Sequence, residues 1–312
     1  MKPSNSIICT VFEGHYHKGV VALANSLYDK EFRGTLYAAY RGELPDWALA
    51  GDLVGDHETV LNVADGFRIQ FVRLRTDEML ANVKPELIQK VWREYQDQVD
   101  NVFYIDCDIV IKSKWHHFET WAELGVTLVE DINSPMPASH PVRLKWKRYY
   151  AQHGIDYRPK DDYYVNGGFV GLNRKHIGFA ETWKVVQEKM KLYTGSSDRI
   201  GIADRWHLFH FMDQDALNVA KDLSDNISVM NKYAMDFQWF GYVMSHAAGR
   251  EKPWQVSFIP KIFKEGHKPT FTEKIYWENV SSPIRLYKES YTRRKRLALR
   301  IALFIGRFYT RT

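Results

Sequence analysis

Short apolar runs alternate with amphipathic stretches along the first half of the chain. Continuous apolar runs bounded by turn residues are typical of buried strands, and a 3.6-residue apolar period is typical of helices. The pattern predicts strands at residues 7–12, 35–40, 68–74, 101–105 and 125–129, and helices at residues 18–28 and 84–98. Residues 42–66 give mixed signals, and no element is predicted there. Strands that alternate with helices indicate an α/β fold built on a mostly parallel, doubly wound sheet.

The second half of the chain is less regular. Residues 131–162 are rich in Pro, His, Lys, Arg and Tyr, which fits either an insertion that shapes a binding site or an ordinary surface excursion. Residues 163–172 are strand-like but contain Gly167 and Gly168, which would let a ligand or another segment approach the backbone closely. Helices are predicted at residues 179–193 and 216–222, and Asp213, Gln214 and Asp215 open the second of them.

Two aspartates follow the most strand-like run of the chain, residues 101–105. Asp106 and Asp108 are separated by one residue, so their carboxylates point the same way from an extended chain. In open α/β sheets, ligands gather beyond the carboxyl ends of the strands. One divalent cation held between two carboxylates there could neutralise a diphosphate. The alternative is a surface turn, in which Asp-x-Asp is common.

The composition is that of a globular protein in a reducing compartment. The chain has 312 residues with 45% hydrophobic content, enough for one large core or two closely packed lobes. Aromatic residues make up 14%, and although such rings stack well on sugars, most of them are expected in the core. The two cysteines, Cys9 and Cys107, lie in apolar runs, so no disulfide framework is predicted. No apolar stretch reaches the length of a membrane-spanning helix.

Positive charge is concentrated at the end of the chain. The net charge is +5, and the last 20 residues carry seven Lys or Arg and no Asp or Glu, so the remainder is near neutral. Apolar residues recur there at helical spacing, namely Leu297, Ile301, Phe304, Ile305 and Phe308. Arginines form an adjoining stripe, namely Arg293, Arg296, Arg300, Arg307 and Arg311. This predicts an amphipathic helix at an anionic membrane surface, with a docked helix or a disordered basic tail as alternatives. Nucleic acid fits less well, because the rest of the chain shows no basic patch.

A segment far beyond the aspartates adds complementary chemistry. Residues 246–254 follow the pattern His-x-x-Gly-x-x-Lys-Pro-Trp. The imidazole of His246 can supply a third metal ligand beside two carboxylates. Gly249 lets backbone amides approach a phosphate, and Lys252 adds a positive charge for a diphosphate. A lone His or Lys is usually structural or solvated, but this spacing downstream of an Asp-x-Asp strand is much rarer.

With these motifs the chain resembles glycosyltransferase family 8, which includes glycogenin and the bacterial lipooligosaccharide galactosyltransferases. The resemblance covers roughly residues 6–260 through four separated motifs, namely residues 10–28, residues 106–108, residues 166–168 with 213–215, and residues 246–254. It implies a GT-A fold and a nucleotide-sugar donor, most commonly a UDP-hexose. It also implies Mn2+, or alternatively Mg2+, and transfer with retention at the anomeric carbon.

The resemblance also implies roles for individual residues. The metal ligands would be Asp106, Asp108 and His246. The nucleotide-sugar contacts would be Thr10, Phe12, Tyr16, Lys84, Asp106, Cys107, Asn166, Gly167, Gly168, Gly249 and Lys252, of which Thr10, Phe12 and Tyr16 would grip the uracil. Gln214 and Asp213 would lie beside the anomeric carbon, as the catalytic residues.

The chain departs from the family's pattern in three places. The opening loop, residues 13–16, is Glu-Gly-His-Tyr where the family often has an Asp or Asn pair, and Gly167 stands where Ala or Ser is common. The family's basic residue before the Asp-x-Asp strand has no clear counterpart. Lys84, in a Lys-Pro helix start, is the first candidate and Lys90 the second, and either could instead be a solvated helix lysine.

We therefore expect a metal-dependent retaining transferase that moves galactose or glucose from a UDP-sugar to a glycan acceptor. The acceptor would be lipid-linked, in surface polysaccharide, O-antigen or lipopolysaccharide synthesis. The GT-A domain would span residues 1–283, with residues 131–162 as an acceptor-site insertion. The basic tail, residues 284–312, would hold a cytoplasmic protein on the inner face of the cytoplasmic membrane. The alternatives are an inverting GT-A transferase with its base in residues 131–162, and a non-catalytic glycan- or membrane-binding protein on a transferase scaffold.

Overall fold

The computed structural model describes residues 3–55, 58–195 and 207–309. Its strands are β1 (Ser6–Glu13), β2 (Thr35–Arg41), β3 (Asp52–Gly55), β4 (Glu58–Ala64), β5 (Phe67–Arg73), β6 (Asn101–Ile105), β7 (Ile109–Ile111), β8 (Val126–Val129), β9 (Phe169–Asn173), β10 (Ile227–Met230) and β11 (Met244–His246). Its α-helices are α1 (His17–Asp29), α2 (Lys84–Tyr95), α3 (Trp115–Glu123), α4 (Pro141–Gln152), α5 (Gly178–Thr194), α6 (Met212–Leu223), α7 (Phe258–Glu265), α8 (Phe271–Glu278) and α9 (Glu289–Ile305).

A nine-stranded sheet runs through the described part of the chain in the order β10-β8-β9-β6-β1-β2-β5-β4-β3. The strands β6, β1, β2 and β5 pair in parallel, and β10 pairs in parallel with β8. β9 and β4 run against their neighbours, while the other described strands of this sheet share one direction. The predicted α/β fold with a mostly parallel sheet is thus confirmed. β7 and β11 form a separate antiparallel pair.

Apolar side chains cover both faces of the sheet. Along β1, Ile7, Cys9 and Val11 enter one core, and Ile8 and Phe12 enter the other, as the two-residue period of a strand requires. Helices α2, α5 and α6 cover the first face, and α1 and α3 cover the second. Strands buried on both faces carry continuous apolar runs, which is why these strands were recognisable in the sequence.

The predicted elements agree closely with the observed ones, apart from a few regions. The helix predicted at residues 84–98 ends at Tyr95, and the strand-like residues 163–172 form a regular strand only from Phe169 onward. The residues before β9, which include Gly167 and Gly168, form a loop at the end of the sheet where the parallel strands have their carboxyl ends. Residues 42–66, where nothing was predicted, contain the edge strand β3 and β4; the exposed Leu53 and Val54 of β3 explain the mixed signal.

Residues 131–162 are anchored to the body of the protein. They contain α4, whose Trp146 and Tyr150 lie in the core that α5 and α6 share. The buried guanidinium of Arg143 donates to the carbonyls of Asp161 and Tyr163, each at 2.5 Å. A charged residue at a fully buried position hid this helix from the hydrophobic pattern. An acceptor-site role for this segment stays a prediction.

The C-terminal helix α9 is docked on the body. Leu299 and Ala302 are buried in one cluster with Ile262 of α7 and Trp277 of α8. The division into a domain of residues 1–283 and a tail of residues 284–312 stays a prediction. Arg296 donates to the carbonyl of Trp277 at 2.8 Å. It therefore faces the protein and does not belong to the exposed stripe of arginines that the sequence predicted. The outward face exposes Leu297, Arg300, Ile301, Phe304, Arg307 and Phe308. Arg311 lies outside the described residues. Among the described helices, none combines the length and apolar content that a bilayer crossing needs.

Candidate functional site

A cleft of about 330 Å³ lies beyond the carboxyl ends of β1, β6 and β8. It is lined by most of the site residues predicted from the sequence, namely Phe12, Tyr16, Lys84, Asp106, Cys107, Asp108, Asn166, Gly167, Gly168, Asp213, Gln214, His246 and Lys252. These residues come from distant parts of the chain. They are brought together by the carboxyl end of the sheet, the starts of α2 and α6, and β11. The cleft thus lies where ligands bind in open α/β sheets, at the carboxyl ends of the strands.

Asp106, Asp108 and His246 form one cluster inside the cleft. One ligand atom from each of the three residues lies within 4.8 Å of the other two. The two aspartates occupy the turn between β6 and β7, and β11 brings in His246 by pairing opposite Ile109. Nε2 of His246 lies 3.3 Å from Oδ1 of Asp108 and 3.9 Å from Oδ2 of Asp106.

In each aspartate of this cluster, one carboxylate oxygen accepts a hydrogen bond from a residue outside the cluster. The hydroxyl of Tyr104 donates to Oδ1 of Asp106 at 2.6 Å, and Nζ of Lys252 donates to Oδ2 of Asp108 at 2.7 Å. Burial raises the pKa of Asp108, but His246 and Lys252 outweigh it and hold that pKa well below its ordinary value. Asp108 is therefore ionised, and the inner oxygens of both aspartates face His246.

This set of donor atoms fits a divalent cation. Carboxylate oxygens suit hard cations such as Mg2+ and Mn2+, and an imidazole nitrogen beside them favours a transition metal. The outer hydrogen bonds fix the orientation of both carboxylates before any ion binds, as supporting groups do in metal sites. The cluster thus agrees with the metal ligands that the sequence predicted.

Lys84 connects the cluster with the start of α6. Its buried Nζ donates to Oδ2 of Asp213 at 2.8 Å and to the carbonyl of Gly167 at 2.9 Å, and it lies 3.3 Å from Oδ1 of Asp106. Burial lowers the pKa of Lys84, but the two carboxylates outweigh it and raise that pKa, so the amine stays charged. Lys90, the second candidate, lies on the partly exposed side of α2. Of these two candidates, Lys84 is the one that lines the cleft.

The segment after β11 forms another wall of the cleft. Nζ of Lys252 donates to the carbonyl of Ala247 at 2.7 Å and lies 5.6 Å from the ring centroid of Tyr16. Burial lowers the pKa of Lys252, but Asp108 outweighs it and raises that pKa. The indole of Trp254 donates to Nδ1 of His15 at 2.8 Å, which ties the opening loop to this wall.

Glycine is required at the loop before β9 because other side chains pass close to it. A Cβ atom on Gly168 would lie 2.6 Å from Cε1 of His246 and 2.9 Å from Oδ2 of Asp106. A Cβ atom on Gly167 would lie 3.1 Å from Oδ2 of Asp213. The sequence predicted that a ligand or another segment comes close to the backbone of this glycine pair. In the structure, side chains of the cleft are what come close to it.

A chain of hydrogen bonds lines the wall opposite Lys252. Oε1 of Gln214 accepts from the backbone N–H of Gly167 at 2.9 Å, and Oδ1 of Asn166 accepts from that of Gly168 at 2.8 Å. Nδ2 of Asn166 donates to Oδ2 of Asp131 at 2.6 Å. The buried Asp131 also lines the cleft, although the sequence pattern did not single it out.

The residues missed in the sequence carried recognisable signals. Asp131 follows β8 at the same edge where Asp106 follows β6, so the rule of strand carboxyl ends would have found it. Tyr104 precedes Asp106 by two residues, and side chains two apart in a strand share a face.

Two predicted binding residues do not line the cleft. Thr10 is buried within β1, where its hydroxyl has no hydrogen-bond partner in the described chain, and Gly249 lies exposed beyond β11. Cys107 does line the cleft, but burial raises the pKa of its thiol well above the ordinary value, so the thiol is neutral. The roles of these three residues in donor binding stay predictions.

Comparison with known proteins identifies the fold. No family model and no curated protein matches the chain. The chain is similar to the apo structure of WbbM, a bifunctional glycosyltransferase, with a TM-score of 0.55 and 16% identity over 95% of this chain and 53% of WbbM. The chain thus spans about half the length of WbbM.

The galactosyltransferase LgtC is similar along almost its whole length. LgtC in complex with donor and acceptor sugar analogues gives a TM-score of 0.50 and 16% identity, covering 93% of this chain and 99% of LgtC. An active-site mutant of LgtC gives a TM-score of 0.52 and 15% identity, again over 93% of this chain and 99% of LgtC. Identity at this level shows a common architecture alone. The chain therefore has the GT-A fold that its motifs predicted, with LgtC among the proteins that share it.

Proposed function

We propose that the protein is a metal-dependent, retaining glycosyltransferase that moves galactose or glucose from a UDP-sugar to a glycan acceptor. The observation that carries this proposal is the convergence of Asp106, Asp108 and His246 between two buried lysines, Lys84 and Lys252, in the cleft of a GT-A fold. Structural neighbours described as glycosyltransferases support the same reaction class.

The charges of the cleft suit a diphosphate once a cation is bound. Asp106, Asp108 and Asp213 surround the ammonium groups of Lys84 and Lys252, and Glu13 and Asp131 also line the cleft, so its carboxylates outnumber its lysines. When bound, Mn2+ or Mg2+ would add two positive charges beside the leaving diphosphate and stabilise the negative charge that develops on it.

The transfer breaks the bond between C1 of the sugar and a diphosphate oxygen, and the electron pair leaves with the diphosphate. The acceptor hydroxyl oxygen forms the new bond to C1, and in a front-face reaction its proton passes to the departing diphosphate. Lys252 would stabilise the charge of that leaving group. Gln214 and Asp213 would lie beside the oxocarbenium-like C1, where a carbonyl or carboxylate oxygen stabilises positive charge.

Retention is favoured over inversion by the surroundings of Asp131. An inverting transferase needs a base near the acceptor, and Asp131 is a carboxylate of residues 131–162 that lines the cleft. Its Oδ2 accepts from Asn166, and its Oδ1 accepts from the side chain and the backbone N–H of Asn133. Both oxygens of this carboxylate are thus already engaged by donors of the protein. NMR analysis of the product anomer separates the two reactions.

The outward face of α9 supports a lipid-linked acceptor at the inner face of the cytoplasmic membrane, in surface polysaccharide or lipopolysaccharide synthesis. Phe304 is 61% exposed there beside Arg300, and in the turn that follows α9 Phe308 is 79% exposed beside the exposed Arg307. Apolar and cationic side chains on one helix face are typical of binding to an anionic bilayer surface. Because Leu299 anchors α9 in the core, single substitutions on the outward face are a cleaner test than truncation.

A donor screen tests the transferase proposal. Purified protein would be incubated with Mn2+ and a panel of UDP-, GDP- and CMP-sugars while nucleotide release is measured. We expect release from one UDP-hexose, lost on chelation of the metal and in Asp108→Asn. Asp52→Asn, at an exposed aspartate of β3, is the matched control and should keep the activity. If no donor were turned over and no nucleotide bound with Mn2+, the protein would be a non-catalytic binding protein on this fold.

A further inference from the structure

A second concave surface, the aromatic groove, lies between β10 and β11. It has a volume of about 770 Å³, and its large rings are Tyr233, Trp239, Phe240 and Tyr242. Trp239 is 71% exposed and Tyr242 is 77% exposed, although both are large side chains. Clustered exposure of aromatic rings marks a binding surface, because a core would bury them.

The rings of this groove are carried by a well-braced loop. Phe240 packs on Phe271 with 4.9 Å between ring centroids, and Nζ of Lys112 lies 3.9 Å from the centroid of Phe240. Lys112 is paired with the buried carboxylate of Asp236 at 2.7 Å, and the backbone N–H of Gly241 donates to the same carboxylate at 2.7 Å. The loop is therefore pre-organised, which lowers the entropic cost of binding.

The groove is electrically neutral. Within the described chain its lining contains no charged residue. Lys232, next to it in sequence, turns away and donates to the carbonyl of Ser134 at 2.9 Å. Anionic lipid, phosphate and nucleic acid require cations at their binding surfaces, as on the outward face of α9. Flat rings without charge instead match a neutral sugar chain, whose pyranose rings present apolar C–H faces.

The groove adjoins the cleft. Tyr242 precedes His246 by four residues, which span at most about 14 Å of extended chain. Phe237, at the inner end of the loop, packs on the ring of His246 with 5.7 Å between centroids. The backbone N–H of Lys232 donates to Glu130 at 3.3 Å, directly beside Asp131 of the cleft. A few sugar units are long enough to connect the two sites.

We propose that the aromatic groove binds the acceptor beyond its reacting end, as a neutral oligosaccharide stacked on Trp239 and Tyr242. This inference rests on the proposed transferase function for the reacting end and adds an extended acceptor subsite to it. The protein should therefore bind acceptors of several sugar units more tightly than monosaccharides.

Binding of neutral gluco- and galacto-oligosaccharides, from monosaccharides to hexasaccharides, tests this subsite. Saturation-transfer NMR and calorimetry on the intact protein without donor would give the affinities. We expect affinity to rise with chain length and to fall at least about fivefold in Trp239→Ala and in Tyr242→Ala. Trp239→Phe should restore part of the loss. Leu53→Ala, at a residue 76% exposed on the opposite edge of the sheet, is the matched control and should change nothing.

Several results would overturn the proposal. One is the absence of binding by every sugar of the panel, and another is equal binding by wild type and the Trp239→Ala/Tyr242→Ala double variant. A third is loss, in that double variant, of flotation with phosphatidylcholine vesicles or of a dimer in ultracentrifugation, which would assign the rings to lipid or to a second copy. Binding of UDP-sugar should be the same in wild type and double variant. If wild type bound oligosaccharide through these rings but no donor, the transferase proposal alone would fail.

Discussion

Replacement of Gly168 by alanine should disrupt the cluster of Asp106, Asp108 and His246. The added Cβ atom would lie 2.6 Å from Cε1 of His246, and 2.9 Å from both Oδ2 of Asp106 and Oδ1 of Asn166. The loop cannot retreat, because the carbonyl of Gly168 accepts from the N–H of Asp106 at 2.7 Å and its own N–H donates to Asn166 at 2.8 Å. The ligand side chains must therefore move.

The size of the effect follows from this overlap. An extra methyl group in a well-packed interior costs about 1–3 kcal/mol of unfolding free energy, and we expect a loss in that range. The effect on metal binding should be larger in proportion, because His246 and Asp106, two of the three predicted ligands, would be displaced directly. Disturbing even the supporting groups of a metal site weakens binding about 10–100-fold, so at least tenfold weaker Mn2+ binding is expected.

Two measurements on Gly168→Ala separate metal affinity from stability. Electron paramagnetic resonance of free Mn2+ during titration gives the affinity, and urea denaturation gives the free energy of unfolding. Gly178→Ala is the matched control and should keep the Mn2+ affinity of wild type without any loss of stability, since its Cβ would meet no described atom within 4 Å and alanine is favoured over glycine in a helix. Mn2+ binding as tight in Gly168→Ala as in wild type would refute the reasoning, because the ion would then lie elsewhere.

Three other substitutions test the surroundings of the cleft. Lys84→Met should lower the free energy of unfolding by about 3–5 kcal/mol in urea denaturation, because two carboxylates lose their shared buried cation. The control Lys90→Met, on the same helix, should change stability by less than about 0.5 kcal/mol. Phe304→Ser should weaken flotation with anionic vesicles without lowering stability, because this ring is 61% exposed. Asp215→Asn should abolish a dependence of stability on pH between about pH 5 and pH 7.

Burial is the cause of the pH dependence expected at Asp215. It raises the pKa of Asp215 from 3.8 to about 7, although Tyr164 and two backbone N–H groups donate to the carboxylate. Between these values the native state binds a proton that the unfolded chain has released. Stability therefore falls as pH rises, by about 1.4 kcal/mol per pH unit. Asparagine has the shape of the neutral acid and removes this slope.

Each of these predictions has an outcome that contradicts it. Equal urea midpoints for Lys84→Met and wild type would show that the carboxylates do not depend on this lysine. Unchanged flotation of Phe304→Ser would place any lipid contact away from the outward face of α9. Parallel pH profiles for wild type and Asp215→Asn would show that Asp215 is ionised in the native state.

The sequence by itself determined the parallel core and predicted the cluster of Asp106, Asp108 and His246. Strands buried on both faces require continuous apolar runs, so β1, β2, β6 and β8 were visible before any contact was known. Asp106 and Asp108 were recognisable because two carboxylates at this spacing share a direction at a strand end. The fixed spacing from His246 to Lys252 completed the same chemistry from far along the chain.

Only the tertiary structure decided which neighbouring positions face the cleft. The choice of Lys84 over Lys90 depends on how α2 is rotated against the sheet. The role of Asp131 depends on Asn166, a partner 35 residues away in sequence. The docking of α9 and the aromatic groove beside Trp239 likewise depend on which face of an element meets another. Burial and exposure are properties of packed neighbours, so no local pattern could determine them.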